Sequence, residues 1–109
     1  MPMVVQLPAK PLFPPGQVVM TDGVSQHVEC GEFNPSSFLA RHFVGDWGDL
    51  CPSDKKQNDR ALKSGEDRLF SSYNLDKGYE DRHGLPADKL WIITEWDRSV
   101  TTLLFPSEY

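Results

Sequence analysis

Two β-prone runs near the C-terminal end constrain this chain more than any other feature. Lys89 to Glu95 carries Leu90, Trp91, Ile92, Ile93 and Thr94 in succession, and Ser99 to Phe105 carries Val100, Thr101, Thr102, Leu103 and Leu104. β-branched and aromatic residues in runs of this length read as strands. The short polar stretch between them reads as an antiparallel hairpin connection. Asp97-Arg98 is not a preferred two-residue primed turn, so a four-residue connection over 96–99 fits better. Pro106 has no amide to donate and should end the pairing. A lone hairpin is marginal in water, so the rest of the chain has to supply further strands and a covering layer.

Those elements can be placed by pattern. Residues 1–16 hold Pro2, Pro8, Pro11, Pro14 and Pro15, which predicts an extended, irregular N-terminal arm. Leu12 and Phe13 can still tuck into the domain. Gln17 to Thr21 reads as a first strand, Asp22-Gly23 as a turn, and Val24 to Glu29 as a short helix stopped at Gly31. Asn34 is a good N-cap with Pro35 at the first helical position. Phe33 and Phe38 have hydrophobic-staple spacing. Phe38, Leu39, His42 and Phe43 then share one helical face, and Gly45 ends the helix. A polar helix starts at Ser53 or Asp54, runs to about Ser64, and stops at Gly65. Leu69, Ser71, Tyr73 and Leu75 alternate with Phe70, Ser72 and Asn74, which is strand periodicity. The stretch 76–88, rich in Gly, Pro and charge, reads as a long excursion between strands. The expectation is an α+β fold: a three- to four-stranded antiparallel sheet with two or three helices packed on one face. Its core would include Val18, Phe38, Leu39, Leu69, Tyr73, Trp91, Ile93 and Leu103 or Leu104. At 109 residues, the arm 1–16 and one domain over 17–109 account for the whole chain.

Composition mainly excludes. A net charge of −5 disfavours a grip on nucleic-acid phosphates and on anionic membrane. Neither a secretory leader nor a membrane span is visible, so the expected location is cytoplasmic, with reduced thiols. Cys30 and Cys51 form no CxxC, and Cys30 reads as a packing residue. There is no GxxxxGK[ST] and no GxGxxG between a strand and a helix. No cofactor, no metal and no catalytic residue is expected.

Two loops stand out. Gly45-Asp46-Trp47-Gly48-Asp49-Leu50 places Asp46, Trp47 and Asp49 between two glycines. It reads either as a binding loop anchored by Trp47 or as a structural turn in which Trp47 closes the core. His42 stands four residues before Asp46. With His27, Asp49 and Cys51 it could form an acid–base or metal cluster, or it could be a packed helix histidine. At the hairpin tip lie Glu95, Trp96, Asp97 and Arg98. Trp and Arg are enriched at protein interfaces, while Asp97 and Arg98 could simply order the turn. His83 falls in the excursion and is expected to be exposed.

GDWGDL at 45–50, the block LWIITEWDRSVTTLLFPSEY with its TExDRSxTTLLxPSEY pattern, LFPPGQVV at 12–19 and FLARH at 38–42 together resemble a family of small bacterial proteins of unknown function. These are carried on plasmids, integrative elements and mobile gene cassettes. The likeness spans Leu12 to Tyr109 and departs in the 76–88 excursion and at Phe33-Asn34. It implies genomic context and no mechanism. The leading expectation is a non-enzymatic accessory protein of a mobile element that binds a protein partner, with a homodimer through a sheet edge as a compatible variant. The alternative is a small metal-dependent or acid–base enzyme using His42, Asp46 and Asp49, and the third is a nucleic-acid-associated protein.

Overall fold

The structure is a computed structural model, and it describes residues 11–29, 34–75 and 89–109. The expectations for Gly31, Cys30, Phe33, His83, the first ten residues of the arm and the 76–88 excursion lie outside the described residues.

Four strands form one sheet: β1 at Gln17–Met20, β2 at Leu69–Asn74, β3 at Lys89–Thr94 and β4 at Val100–Leu104. Three helices accompany them: α1 at Asp22–Glu29, α2 at Ser36–Phe43 and α3 at Pro52–Ser64. The fold is α+β, and the hairpin is present as β3–β4, with Trp91 opposite Leu104 and Thr94 opposite Thr101.

The sheet order is β1-β4-β3-β2, and this corrects the antiparallel expectation. β1 runs parallel to β4, with Gln17 beside Val100 and Met20 beside Leu103, so the sheet is mixed. Parallel neighbours need a long crossover rather than a tight turn. Here the crossover is nearly the whole chain, and no local residue pattern announces it. Gly16 makes the approach feasible. At φ +62° it lies so close to the hairpin that a Cβ would fall 2.3 Å from the Ser99 carbonyl oxygen.

Register decides the core. Val18, Met20, Leu69, Tyr73, Leu90, Ile92 and Leu103 alternate onto one face and join Val24 of α1, Leu39 and Phe43 of α2 and Ala61 of α3 in one buried cluster. All three helices therefore contribute to the same side. In β3 the expected core pair Trp91 and Ile93 points to the opposite face, where Ile93 is still buried and Trp91 half-buried. Because Leu69 pairs with Thr94 and Tyr73 with Leu90, the even-numbered residues of β3 face the helices. A strand's two faces differ by one residue of register, and Leu90-Trp91-Ile92-Ile93 is apolar in both phases. Phe38 is half-buried against the cluster, and Leu103 rather than Leu104 enters it.

All three helix starts differ in detail, α3 beginning at Pro52 rather than at Ser53 or Asp54. Asp22-Gly23 is not a turn but the first turn of α1. The Glu108 carboxylate reaches across from the C-terminal 3-10 turn at Pro106–Glu108 to accept from the Gly23 amide at 3.0 Å and the Thr21 hydroxyl at 2.7 Å. That supplies an N-terminal cap from another part of the chain. Burial works against the Glu108 charge, but these bonds and one from the Phe105 amide hold its carboxyl below the usual range. α2 starts at Ser36 with Pro35, not Asn34, in the N-cap position, and the Asn34 side chain accepts from the Ser36 amide at 3.0 Å from one residue further out. α3 ends where expected, at Gly65 in the left-handed region with φ +70°.

Candidate functional site

The arm is docked from Leu12 onward. The Leu12 amide donates to the Phe43 carbonyl at 2.8 Å, and Phe13 is buried. Phe13 sits at the centre of an aromatic group, 5.5 Å from the His42 ring, 5.6 Å from Phe43 and 6.5 Å from Trp47.

His42 has no exposed surface. Its Nδ1 meets the Ser71 hydroxyl, and its Nε2 lies 3.0 Å from Thr94 Oγ1. Thr94 Oγ1 is 2.8 Å from Thr101 Oγ1, which donates to the Pro15 carbonyl at 2.8 Å. Proton accounting fixes the direction of this chain. Pro15 only accepts, so the Thr101 hydroxyl is spent on it and its oxygen accepts from Thr94. Thr94, having donated, accepts from His42 Nε2–H, and Nδ1 accepts from Ser71. Imidazole and hydroxyls are fully engaged. Burial, helped by the nearby Arg98 charge, holds the His42 imidazole neutral by lowering its pKa to about 3. A serine against a histidine is what a nucleophile–base pair would need, but Ser71 is as inaccessible as His42. The network ties α2 to β2, β3, β4 and the arm.

The GDWGDL loop is folded over the outer edge of β2. The Asp49 amide donates to the Ser72 carbonyl at 2.7 Å, the Ser72 amide to the Trp47 carbonyl at 3.3 Å, and the Asn74 amide to Asp49 Oδ2 at 2.8 Å. Gly48 is required there. It has φ +80°, and a Cβ would fall 2.2 Å from the Ser72 carbonyl oxygen. Asp46 pairs with Arg41 at 2.7 Å and also accepts from the Gly48 amide. The hydrogen bond with Arg41 holds the Asp46 carboxyl below its ordinary range. Tyr73 donates its hydroxyl to the Asp46 carbonyl at 2.7 Å, and burial pushes its phenol up. Trp47 is only 3% exposed and donates its indole N–H to Asp59 Oδ1 at 2.9 Å. It closes the core and offers no surface anchor.

The hairpin tip differs. Trp96 is 61% exposed. Asp97 accepts from both the amide and the hydroxyl of Ser99, and the hydroxyl bond foremost holds its carboxyl below the ordinary range. Arg98 has φ +59° and donates to the carbonyls of Asp67, Glu95, Trp96 and Ala61. It thus braces the turn against the C-terminal end of α3. Glu95 takes part through its backbone, its amide donating to the Val100 carbonyl at 3.0 Å.

The candidate residues therefore do not converge as one polar site. His42 turns into the sheet, Asp46 to Arg41, Asp49 to the β2 edge and Asp97 to its own turn. The two loops are linked beneath the surface by Phe13, which lies against Trp47 and has the Arg98 guanidinium 6.0 Å from its ring. Cys51 is exposed, with its sulfur 3.2 Å from the Ser53 hydroxyl. Among the described residues no three His, Cys, Asp or Glu side chains are grouped to hold a metal ion, and no helix is long and apolar enough to cross a membrane.

Sequence reasoning missed a cleft where α3 meets β2. A cavity of about 200 Å³ is lined by Leu50, Asp54, Gln57, Asn58, Arg68 and Phe70. Asn58 forms its floor. The side-chain amide accepts from the Phe70 N–H at 3.1 Å and donates to the Phe70 carbonyl, standing in for a neighbouring strand. Beside it Phe70, Trp91 and Tyr109 make a chain of edge-to-face rings, 5.1 and 5.8 Å apart, with Arg68 5.6 Å over the Tyr109 ring. Asn58 on an otherwise polar helix carried no signal, because any exposed face would tolerate it. Comparison of the chain with protein-family models, curated proteins and solved structures returns no match.

Proposed function

We propose that the chain is a non-enzymatic accessory protein of a mobile genetic element, acting in the cytosol by binding a protein partner through the β3–β4 hairpin tip. The observation that carries this reading is Trp96, an indole left 61% exposed on a turn that is otherwise fully braced. Arg98 holds four carbonyls and Asp97 caps Ser99, so little ordering remains to be done when a partner arrives. Rigid, solvent-facing aromatics of this kind are what interface anchors are made of. The separate engagements of His42, Asp46 and Asp49 favour binding over an acid–base or metal mechanism. A homodimer through the β2 edge is disfavoured, because Trp47, Asp49 and Asn58 already occupy that edge.

The test compares wild type with Trp96→Ala in extracts of a host that carries the element. A protein retained by wild type and lost by a normally folded Trp96→Ala supports the reading. Retention of the same proteins by both, or by neither, sinks it.

A further inference from the structure

We propose that the cleft between α3 and β2 is a binding site for a small zwitterion, a free α-amino acid with an apolar side chain. This goes beyond partner binding at the hairpin tip and does not depend on it. The cavity of about 200 Å³ is below the range of drug-sized pockets, and corresponds to about seven waters' share of liquid volume. That suits a ligand the size of leucine.

The lining sets the chemistry. Arg68 and Asp54 place one positive and one negative group around the same cavity, which Gln57 also lines. The Arg68 guanidinium faces the Tyr109 ring, which orients it while leaving its N–H donors unused. Among the described residues Arg68, Asp54 and Gln57 make no side-chain hydrogen bond or ion pair. An anion alone would leave Asp54 unpaired and repelled, and a cation alone would do the same to Arg68. A zwitterion satisfies both, with its carboxylate on the guanidinium fork and its ammonium on Asp54. Leu50 and Phe70 offer the apolar wall for its side chain. The floor is preformed, because both polar ends of the Asn58 amide are locked to the Phe70 backbone, and little reorganisation is needed on binding.

The experiment is a titration of the full chain with L-leucine and L-phenylalanine, followed by amide chemical shifts. Saturable movement of the Leu50 and Phe70 amides and of the Asn58 side-chain amide is expected. Arg68→Gln and Asp54→Asn alter exposed side chains, so they should fold normally, and each should weaken binding about tenfold. Leucinamide, which lacks the carboxylate, and N-acetyl-leucine, which lacks the ammonium, should be weaker than leucine by a similar factor. Absence of saturable shifts overturns the proposal. So does unchanged binding in either variant, or N-acetyl-leucine binding as well as leucine.

Discussion

The loop at 45–50 and the hairpin tip at 95–98 look alike as sequence, each a tryptophan among acidic residues in a short polar turn, yet they have opposite fates. Trp47 is 3% exposed and Trp96 is 61% exposed. The difference lies in the glycines. Gly45 and Gly48, both at positive φ, let the first loop curl back until its backbone pairs with the β2 edge, which drives Trp47 inward onto Phe13. The tip has no glycine. Arg98 takes the left-handed position itself and anchors outward to α3, so Trp96 is left facing solvent. A tryptophan in a turn is therefore read by what its neighbours allow the backbone to do, not by its own hydrophobicity.

The largest expected effect concerns the buried side of this comparison. His42 ionises only near 3 in the folded protein, against an ordinary value of 6.5. The folded state thus binds fewer protons than the unfolded one below 6.5, so the His42 contribution is fully present above that pH and is lost as pH falls toward 3. At about 1.4 kcal/mol per pH unit, the whole loss is about 4–5 kcal/mol. Urea unfolding should show about 3 kcal/mol of it between neutrality and about pH 4.5, above most carboxylate titration. A flat stability profile over that interval would show that His42 is not held neutral in the core.

Next in size is His42→Ala at neutral pH. It opens a cavity, leaves the Ser71 hydroxyl without its acceptor and takes from Thr94 Oγ1 the proton it accepts, and should cost about 3–5 kcal/mol in denaturant unfolding. A loss below about 1 kcal/mol would mean the network is dispensable. Gly48→Ala combines a positive φ with backbone contact and should cost about 2–4 kcal/mol. Gly65→Ala is its control. It shares the positive φ, but a Cβ there meets nothing within 4 Å, so only about 1 kcal/mol is expected. Equal costs for the two would remove the close packing of the loop on β2 from the explanation. Trp96→Ala should have the smallest effect, within about 0.5 kcal/mol of wild type. Its removal should also abolish most of the acrylamide-accessible tryptophan fluorescence, while Trp47 stays protected. A strongly destabilised Trp96→Ala would place the tip with the buried loop after all.

Local chemistry made several parts legible. The hairpin, the helix stop at Gly65 and the strand at Leu69 rest on residues whose preference is expressed within a few positions. The two tips were legible as places of interest but not in character. Asp49 was expected to belong to a binding loop or a structural turn, and its carboxylate accepts from the Asn74 amide, a partner remote in sequence. Arg98 was expected either to serve an interface or to order its own turn, and beyond its turn it reaches the carbonyls of Asp67 and Ala61. The α3–β2 cleft was invisible, since Asp54, Gln57 and Arg68 look like any solvated surface until α3 is laid against β2.

What the sequence determined alone was an α+β chain with a β3–β4 hairpin, two or three helices and a shortage of chemistry-bearing motifs. Such features follow from near-neighbour sterics and from apolar periodicity. Tertiary structure alone decided that β1 joins β4 in parallel, that Leu90 and Ile92 rather than Trp91 and Ile93 face the helices, and that Trp47 is buried while Trp96 is not. Each of these is settled by pairing between residues far apart in the chain. The apolar run in β3 satisfies either face, so only register against β2 and β4 could choose between them.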